Sequence, residues 1–371
     1  MKKSLGGLFA GLLLVFCIGG IVLPSAGSAV KGRQGQTKPA FSWKALWTGS
    51  FLEDFEEWWS ARTFCREGLS SLAASVDTIT GRHEENGIYK GKSKQLFEEI
   101  QSTEQEDYQQ NAQAILNFAN KYWEAPMSVL IVPDAAQVLH HQLPANVKTA
   151  DQSEMLDGLE EELGDLVTCI DVESALEKHM NEKLYYQTDY HLTSLGAYYA
   201  FQAAAESLEI DSSGLKEFAS YTVTTDFNGA LAQRSGFLKS VKETIDIYIP
   251  GEETKVVVSC PEDGTKRTSL FDSSMLDTED PYQVFLGGEK SLLDIRTTAD
   301  ASRRLLLIGD SSANAFVQFM TPYFREIVLV KPAVYEGNID ELMSQYQITD
   351  VLVLYRGNSF AENSSLSGVL Q

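Results

Sequence analysis

Short apolar runs alternate along the chain with segments that have the spacing of amphipathic helices. Five runs rich in leucine and β-branched side chains occupy residues 128–132, 166–170, 305–308, 327–330 and 351–354. Helical spacing fills residues 154–163 and 173–180, and a longer polar helix is predicted over roughly 103–122. Short apolar strands that alternate with helices are typical of a mostly parallel sheet covered on both faces. The pattern therefore predicts one α/β domain over residues 81–371.

Two regions depart from this alternation. Residues 210–300 contain Gly/Ser/Thr-rich turns and strands of alternating pattern, such as 244–249 and 255–258, which indicates an antiparallel insertion within the domain. Ahead of the domain, a polar linker over 30–40 leads to an N-terminal helical extension over 41–80. Its apolar stripe packs on the main domain or contacts a membrane surface or a ligand. The stripe consists of Trp47, Phe51, Phe55, Trp58, Trp59 and Phe64.

The first 29 residues are typical of an export signal peptide or a membrane anchor. Lys2 and Lys3 precede an uncharged stretch over residues 5–23, and a run of small residues follows it. As a helix, that stretch would be about 28 Å long, which is close to the thickness of a bilayer core. Both interpretations place the rest of the chain outside the cytoplasm, either anchored by residues 1–29 or secreted after cleavage.

The composition and the absence of certain motifs exclude several classes of function. The chain has 371 residues, and its 52 acidic and 30 basic side chains give a formal net charge of −22, so nucleic-acid binding is excluded as a general function. The sequence contains no nucleotide-binding glycine loop, no HExxH and no CxxC, and neither a cofactor nor a metal is expected. Three cysteines, Cys65, Cys169 and Cys260, follow the signal segment, and free thiols are favoured over one disulfide among them.

One candidate for chemistry follows the apolar run at 305–308. Gly309 and Asp310 lead from this predicted strand to Ser311, and residues 313–320 have helical spacing. Because the carboxyl ends of parallel strands are where α/β sheets place their sites, Ser311 is a candidate nucleophile. The amino end of the following helix would stabilise a developing oxyanion. The alternative is that Asp310, Ser311 or Ser312 only caps the helix.

A second candidate lies near the middle of the chain, at Asp189 and His191. Residues two apart in an extended segment face the same side, so the Asp189 carboxylate can orient the His191 ring and leave its second nitrogen free as a base. Thr193 or Ser194 is expected to cap a helix that reaches about Leu208. Alone, the pair also fits a structural histidine bonded to a carboxylate. Together with Ser311 it supplies the three groups that an acyl-transfer triad needs.

These residues resemble a known family. Two stretches carry the resemblance: Asp189-Tyr190-His191-Leu192-Thr193-Ser194-Leu195-Gly196-Ala197 and, later in the chain, Gly309-Asp310-Ser311-Ser312-Ala313-Asn314-Ala315-Phe316. They resemble the DHHW family of bacterial exported proteins. That family is similar to the SGNH-hydrolase-like proteins that O-acetylate alginate. The likeness covers about residues 51–355. The sequence departs from the family pattern at three places: Tyr190 and Leu192 replace a His and a Trp, Glu289 stands where Asn is expected, and Lys331 where Arg is expected.

The resemblance implies an SGNH-like three-layer α/β/α fold, with Ser311 as nucleophile, His191 as general base and Asp189 orienting His191. It implies an acyl-transferase or esterase that acts on acetyl groups of a cell-surface or secreted polysaccharide. The expected partners are an acetyl donor, the polysaccharide acceptor and a membrane acyl-transferase. Asn314 and Tyr323 are the candidate substrate-binding residues. The alternative function is a non-catalytic envelope protein of the same fold that binds a glycan or a partner protein.

Overall fold

The structure is a computed structural model, and it describes residues 84–101, 106–145, 147, 149–210, 217–251 and 254–371. The expected signal segment, the linker and the helical extension lie outside the described residues, as do His83 and Cys65. Within the described part of the chain, no helix has both the length and the apolar character needed to cross a membrane.

The described strands are short, as their apolar runs predict. They are β1 (Glu84–Glu85), β2 (Ile88–Lys90), β3 (Leu96–Glu98), β4 (Met127–Val132), β5 (Thr168–Cys169), β6 (Phe218–Phe227), β7 (Glu243–Pro250), β8 (Val256–Cys260), β9 (Thr265–Arg267), β10 (Leu292–Thr297), β11 (Arg304–Gly309), β12 (Glu326–Val330) and β13 (Asp350–Arg356). The strand predicted over 166–170 is shortened to β5 because a 3₁₀ turn occupies Gly164–Leu166.

Helices follow most of these strands. They are α1 (Glu106–Lys121), α2 (Ala135–Val138), α3 (Gln152–Leu163), α4 (Glu173–Glu177), α5 (Ser194–Ser207), α6 (Ala230–Ser235), α7 (Ala313–Met320), α8 (Ile339–Gln345), α9 (Gly357–Glu362) and α10 (Ser365–Leu370). Single 3₁₀ turns lie at Lys92–Lys94, His140–Gln142, Ser273–Asp277 and Pro281–Val284.

Eight strands form the main sheet in the order β5-β4-β13-β11-β12-β10-β8-β9. The five strands from β5 to β12 are parallel to one another. The pairings of β12 with β10, β10 with β8, and β8 with β9 are antiparallel. The prediction of a mixed α/β fold with a mostly parallel sheet is confirmed.

Helices cover both faces of this sheet, so its central strands are buried on both sides. Along β11, Leu305 and Leu307 belong to one apolar cluster, together with side chains of α5 and α7. Leu306 and Ile308 belong to the other, with side chains of α1, α3 and α8. Successive side chains of a strand point to opposite faces, and this is why a continuous apolar run is needed here. The result is the three-layer α/β/α arrangement.

The segment from 217 to 297 is divided between two sheets. Strands β6 and β7 form a separate two-stranded antiparallel sheet, whereas β8, β9 and β10 extend the edge of the main one. Strands β1, β2 and β3 form a further small antiparallel sheet. Both described cysteines are free thiols, Cys169 half-buried and Cys260 buried. Burial and the nearby Glu160 charge raise the pKa of the Cys169 thiol to about 11, so it stays protonated at neutral pH.

Candidate active site

Ser311 stands in the turn between the carboxyl end of β11 and the amino end of α7. The strand ends at Gly309, where a Cβ would lie 2.3 Å from the Leu354 carbonyl oxygen of the neighbouring strand, so only glycine fits. Asp310 fixes the turn, because its carboxylate accepts from the Ser312 N–H (2.9 Å) and from the Arg356 N–H (3.2 Å). The turn-fixing role therefore falls to Asp310, and the partly exposed Ser311 side chain is available for another contact.

His191 lies in a loop that is fixed just before α5. Thr193 is the residue before the helix, and its hydroxyl accepts from the Gly196 N–H (3.2 Å) and donates to the Lys183 carbonyl (2.6 Å). Of the two capping residues considered, Thr193 therefore caps the helix. Gly196 packs so closely on the chain that a Cβ there would lie 2.3 Å from the Leu184 carbonyl oxygen. These contacts hold the backbone on both sides of His191.

The structure brings the three predicted residues into one hydrogen-bonded series. The Ser311 Oγ lies 2.8 Å from His191 Nε2, and His191 Nδ1 lies 2.6 Å from Asp189 Oδ1. An ionised carboxylate only accepts hydrogen bonds, so Nδ1 carries a proton and the neutral ring presents Nε2 as an acceptor to the serine hydroxyl. Asp189 and His191 are almost completely buried, with 3% and 5% of their surface exposed.

The Asp189 carboxylate is held at both of its oxygens. Oδ1 also accepts from the His191 N–H (3.0 Å), and Oδ2 accepts from the Ala230 N–H at the start of α6 (2.7 Å). Burial by itself would raise the pKa of this carboxyl, but the electrostatic interaction with the His191 ring and these hydrogen bonds outweigh burial and hold the pKa below its ordinary value. Asp189 is therefore ionised at neutral pH.

The segment before Asp189 is anchored by a buried carboxylate on β7. Glu243 accepts from the Thr188 N–H (2.9 Å), the Thr188 hydroxyl (2.5 Å) and the Gln187 N–H (2.8 Å). The Thr188 hydroxyl in turn accepts from the Gly229 N–H (2.9 Å), next to Ala230. The β6–β7 segment thus takes part in positioning the aspartate, although it lies outside the main sheet.

Two tyrosines enclose the His191 ring. The Tyr282 ring stacks on it with a centroid distance of 3.8 Å, and the Tyr190 ring lies 4.2 Å away at a tilted angle. The Tyr190 hydroxyl also interacts with the Ser311 side chain, which acts to lower the Tyr190 pKa. Burial, reinforced by the Asp189 charge, raises the pKa of Tyr190 to about 12, so its hydroxyl keeps its proton at neutral pH.

Arg356 supports Tyr190 from the end of β13. Its guanidinium lies 4.4 Å from the centre of the Tyr190 ring, within the range of a cation–π contact. The guanidinium is paired with Asp134 (2.8 Å) and with Glu98. Burial alone would lower the arginine pKa, but these carboxylates overcome it and raise the pKa, so Arg356 is a fixed positive charge beside the site.

The side chains of the two predicted substrate-binding residues lie outside the series of Ser311, His191 and Asp189. Asn314 is buried within α7, and its Oδ1 accepts from Lys331 Nζ (2.6 Å), which also donates to the Asp310 carbonyl (3.1 Å). Burial lowers the pKa of Lys331, and the charge of Glu289 opposes that shift. Tyr323 stacks on Phe201 beyond the carboxyl end of α7, so the helix separates it from Ser311. The structure brings neither side chain into the hydrogen-bonded series.

Sequence reasoning missed several residues that contact the triad. The Ala230 N–H and the Tyr282 ring are distant in sequence from Asp189 and His191, and no local pattern indicates them. Tyr190 lies between the two residues of the Asp-x-His pair and was identified only as a departure from the family pattern. Among the described histidines outside the site, His179 does contact a carboxylate, Glu182 (2.7 Å), but at the protein surface.

The fold and the site define a class of protein. It is an SGNH-hydrolase-like α/β/α protein in which a serine, a histidine and an aspartate are hydrogen-bonded in series at the carboxyl ends of parallel strands. The family model described as DHHW protein matches residues 109–330, which is more than half of the chain. The protein therefore belongs to the DHHW family.

The first two of the following solved structures share the fold. A DHHW family protein from Eubacterium siraeum matches with a TM-score of 0.66 and 23% identity, over 76% of this chain and 95% of that one. Bacillus cereus PatB1 with a sulfonyl adduct matches with a TM-score of 0.60 and 16% identity, over 75% and 96%. The O-acetyltransferase domain of Pseudomonas putida AlgJ gives a TM-score of 0.47 and 16% identity, over 76% and 95%. No curated protein matches the chain.

Proposed function

We propose that this protein is an exported serine acyl-transferase or esterase that acts on O-acetyl groups of a cell-surface or secreted polysaccharide. The observation that carries the proposal is the unbroken hydrogen-bond series from Ser311 through His191 to Asp189, with distances of 2.8 and 2.6 Å. A nucleophile, a base and a group that orients the base, each within hydrogen-bonding reach of the next, are the parts that acyl transfer requires.

In the proposed first half-reaction, Ser311 Oγ attacks the carbonyl carbon of an acetyl donor while His191 Nε2 takes the serine proton. Asp189 stays ionised and stabilises the imidazolium that forms. The oxyanion of the tetrahedral intermediate develops beside the amino end of α7, where the helix dipole is positive. The protonated Tyr190 hydroxyl, already at Ser311, is a second donor for it. His191 then gives its proton to the leaving group.

In the second half-reaction, a sugar hydroxyl or a water molecule loses a proton to His191 and attacks the acetyl-serine. The bond from the acetyl carbon to Ser311 Oγ then breaks, and His191 returns the proton to Oγ. Attack by a sugar makes the protein a transferase, and attack by water makes it an esterase. The proposed acetyl and polysaccharide specificity rests on the resemblance to the DHHW family. A membrane acyl-transferase is the proposed source of acetyl groups for an extracytoplasmic enzyme.

Turnover of 4-nitrophenyl acetate by the full-length chain tests the reaction. Ser311→Ala and His191→Ala should each lower kcat by about 10³-fold or more, because the nucleophile and its base act as one unit. Ser312→Ala is the matched control, since it removes the adjacent hydroxyl and leaves the 2.8 Å contact to His191 in place. Equal activity of wild type and Ser311→Ala would refute the catalytic role.

The acceptor is tested with an O-acetylated oligosaccharide in place of the aryl ester. Acetyl transfer to an unacetylated sugar supports the transferase, and release of acetate alone supports the esterase. A folded wild-type chain that turns over neither substrate, yet binds the oligosaccharide, would instead support the non-catalytic glycan-binding function.

We also propose that residues 1–29 direct the protein out of the cytoplasm, as signal peptide or anchor. The support is the basic start, the uncharged stretch and the small residues that follow it. Fractionation of cells that express the full chain, with N-terminal sequencing of the product, tests this. A chain that starts after residue 29 in the medium indicates cleavage, an intact chain in the membrane fraction indicates an anchor, and an intact cytoplasmic chain would contradict export.

A further inference from the structure

A polar cleft lies at the other end of the sheet from Ser311. Its volume is about 570 Å³, and its walls include Arg296, Arg304, Arg325, Glu326, Gln345 and Gln347. These residues come from the end of β10, the starts of β11 and β12, and the end of α8. We call this surface the arginine cleft.

The arginine cleft is separate from the triad. Arg304 opens β11, and Gly309, two residues before Ser311, closes it. Five steps along a parallel strand span about 17 Å, at about 3.3 Å per residue. The cleft is therefore at the amino ends of the parallel strands, and it belongs to no part of the site described above.

Positive charge exceeds negative charge among the residues that line the cleft. Its three guanidiniums face one lining carboxylate, Glu326. Arg296 Nε lies 2.9 Å from one Glu326 oxygen, and Arg304 Nε lies 3.6 Å from the other. Arg296 also approaches Asp294, just behind the cleft, at 3.2 Å. In a chain with a net charge of −22, this local excess of positive charge is unusual, and a bound anion would neutralise it.

Arg325 takes no part in the ion pairs that Arg296 and Arg304 form with the carboxylates around the cleft. Its Nη1 donates to the neutral Thr297 carbonyl (2.9 Å), and the described residues give it no carboxylate within salt-bridge distance. Its side chain is exposed at the cleft. A guanidinium has five N–H donors in a planar fork, and the bond to Thr297 uses only one of them, so other Arg325 donors are available to a ligand.

Guanidinium forks match the geometry of carboxylate and phosphate groups, which they bind through two parallel hydrogen bonds. The Gln345 and Gln347 side chains at the rim add amide groups, although Gln347 Oε1 already accepts from Arg304 Nη1 (2.5 Å). The residues that line the cleft thus offer more hydrogen-bond donors than acceptors, and a site of this kind favours an anion.

We propose that the arginine cleft is a binding site for an oxyanion group, a phosphate or a carboxylate, carried on a multivalent anion. Arg325 is its principal ligand, and Arg296 and Arg304 supply further positive charge around it. The proposal does not depend on the catalytic function of Ser311.

Isothermal titration of the full-length chain with inorganic pyrophosphate and, in a separate arm, with citrate tests the site at constant ionic strength. We expect saturable binding of at least one of the two, and the stronger arm identifies phosphate or carboxylate as the recognised group. Arg325→Gln should weaken that binding roughly tenfold or more, because it removes a charge-assisted bidentate contact. Ser311→Ala should leave it unchanged.

Lys242→Gln is the matched control, because it removes one positive charge from an exposed pair with Asp226 outside the cleft. Arg325→Lys keeps the charge without the fork and should bind with intermediate affinity, which separates recognition from a loss of folding. Absence of saturable binding in both arms would overturn the proposal. An equal loss of affinity in Lys242→Gln and Arg325→Gln would also overturn it, because the binding would then reflect only net charge.

Discussion

Asp189 combines deep burial with hydrogen bonds at both carboxylate oxygens, and its ionised form is stabilised by them. Because its folded-state pKa lies below the unfolded value, its contribution to stability is present above the unfolded pKa and is lost as the pH falls through the acid range. The carboxylate that is hydrogen-bonded to the His191 ring thus also stabilises the fold.

Asp189→Asn should therefore lower the free energy of unfolding at pH 7 by roughly 1–3 kcal/mol, with a deficit that shrinks as the pH falls towards 3. Urea unfolding at a series of pH values measures this. Asp165→Asn, at an exposed aspartate, is the control and should differ little from wild type at any pH. A deficit for Asp189→Asn that does not change with pH would contradict the assigned charge state.

Tyr190 replaces the family's histidine and provides a hydroxyl at Ser311. Tyr190→Phe keeps the ring that rests on Arg356 and removes only that hydroxyl. We expect kcat for an aryl acetate to fall roughly tenfold, with little change in KM or in Tm, because one donor to the oxyanion is lost. Steady-state kinetics measure the effect, and an unchanged kcat would mean that the hydroxyl does not act in the transition state.

At the scale of elements, the triad depends on a segment outside the main sheet. The start of α6 packs directly on Asp189, and a Cβ on Gly229 would lie 2.3 Å from Asp189 Cβ and 2.4 Å from Oδ2. The amino end of a short helix thus fixes where the carboxylate can lie.

Gly229→Ala should displace Asp189 and lower aryl acetate turnover at least tenfold, because the His191 ring loses its orientation. Gly158→Ala is the matched control, since the nearest atom to its Cβ would be 3.8 Å away, in the middle of α3. That variant should keep full activity and gain up to about 1 kcal/mol of stability. Similar activities in the two variants would show that the α6 contact does not position the aspartate.

The parallel strands and the Asp-x-His and Ser-containing loops could be predicted from sequence because their signals are local. A continuous apolar run, as in 305–308, is what a strand buried on two faces requires. The turn at Gly309 and the cap at Thr193 are equally local. Each is decided by residues only a few positions apart.

Pairings between distant segments could not be predicted in this way. The sequence indicated antiparallel strands between 210 and 300, but β8 and β10 join the main sheet while β6 and β7 form their own. The alternating sequence pattern is the same in the strands of both sheets, so it does not show which strand each one pairs with. Long-range packing decides that pairing. The contact between the Ala230 N–H and Asp189 could not be predicted either, because it depends on how α6 packs against a distant part of the chain.

At the scale of the whole molecule, the net charge of −22 makes the folded chain repel itself. Added salt screens this repulsion, so raising NaCl from about 0.05 to 0.5 M at pH 7.5 should raise Tm by a few degrees. The increase should be smaller near pH 4, where carboxylates become protonated. Calorimetry of the full-length chain measures both, and a Tm that falls with salt at pH 7.5 would show that attractive ion pairs dominate instead.

Activation of Ser311 by His191 can be tested by covalent labelling of the serine. The full-length chain is treated with phenylmethylsulfonyl fluoride, a reagent that leaves a sulfonyl group on an activated nucleophile, and the adduct is mapped by peptide mass spectrometry. We expect one adduct on Ser311 in wild type and in Ser312→Ala, and none in Ser311→Ala or His191→Ala. No adduct on folded wild type, or equal labelling of Ser311→Ala, would contradict it.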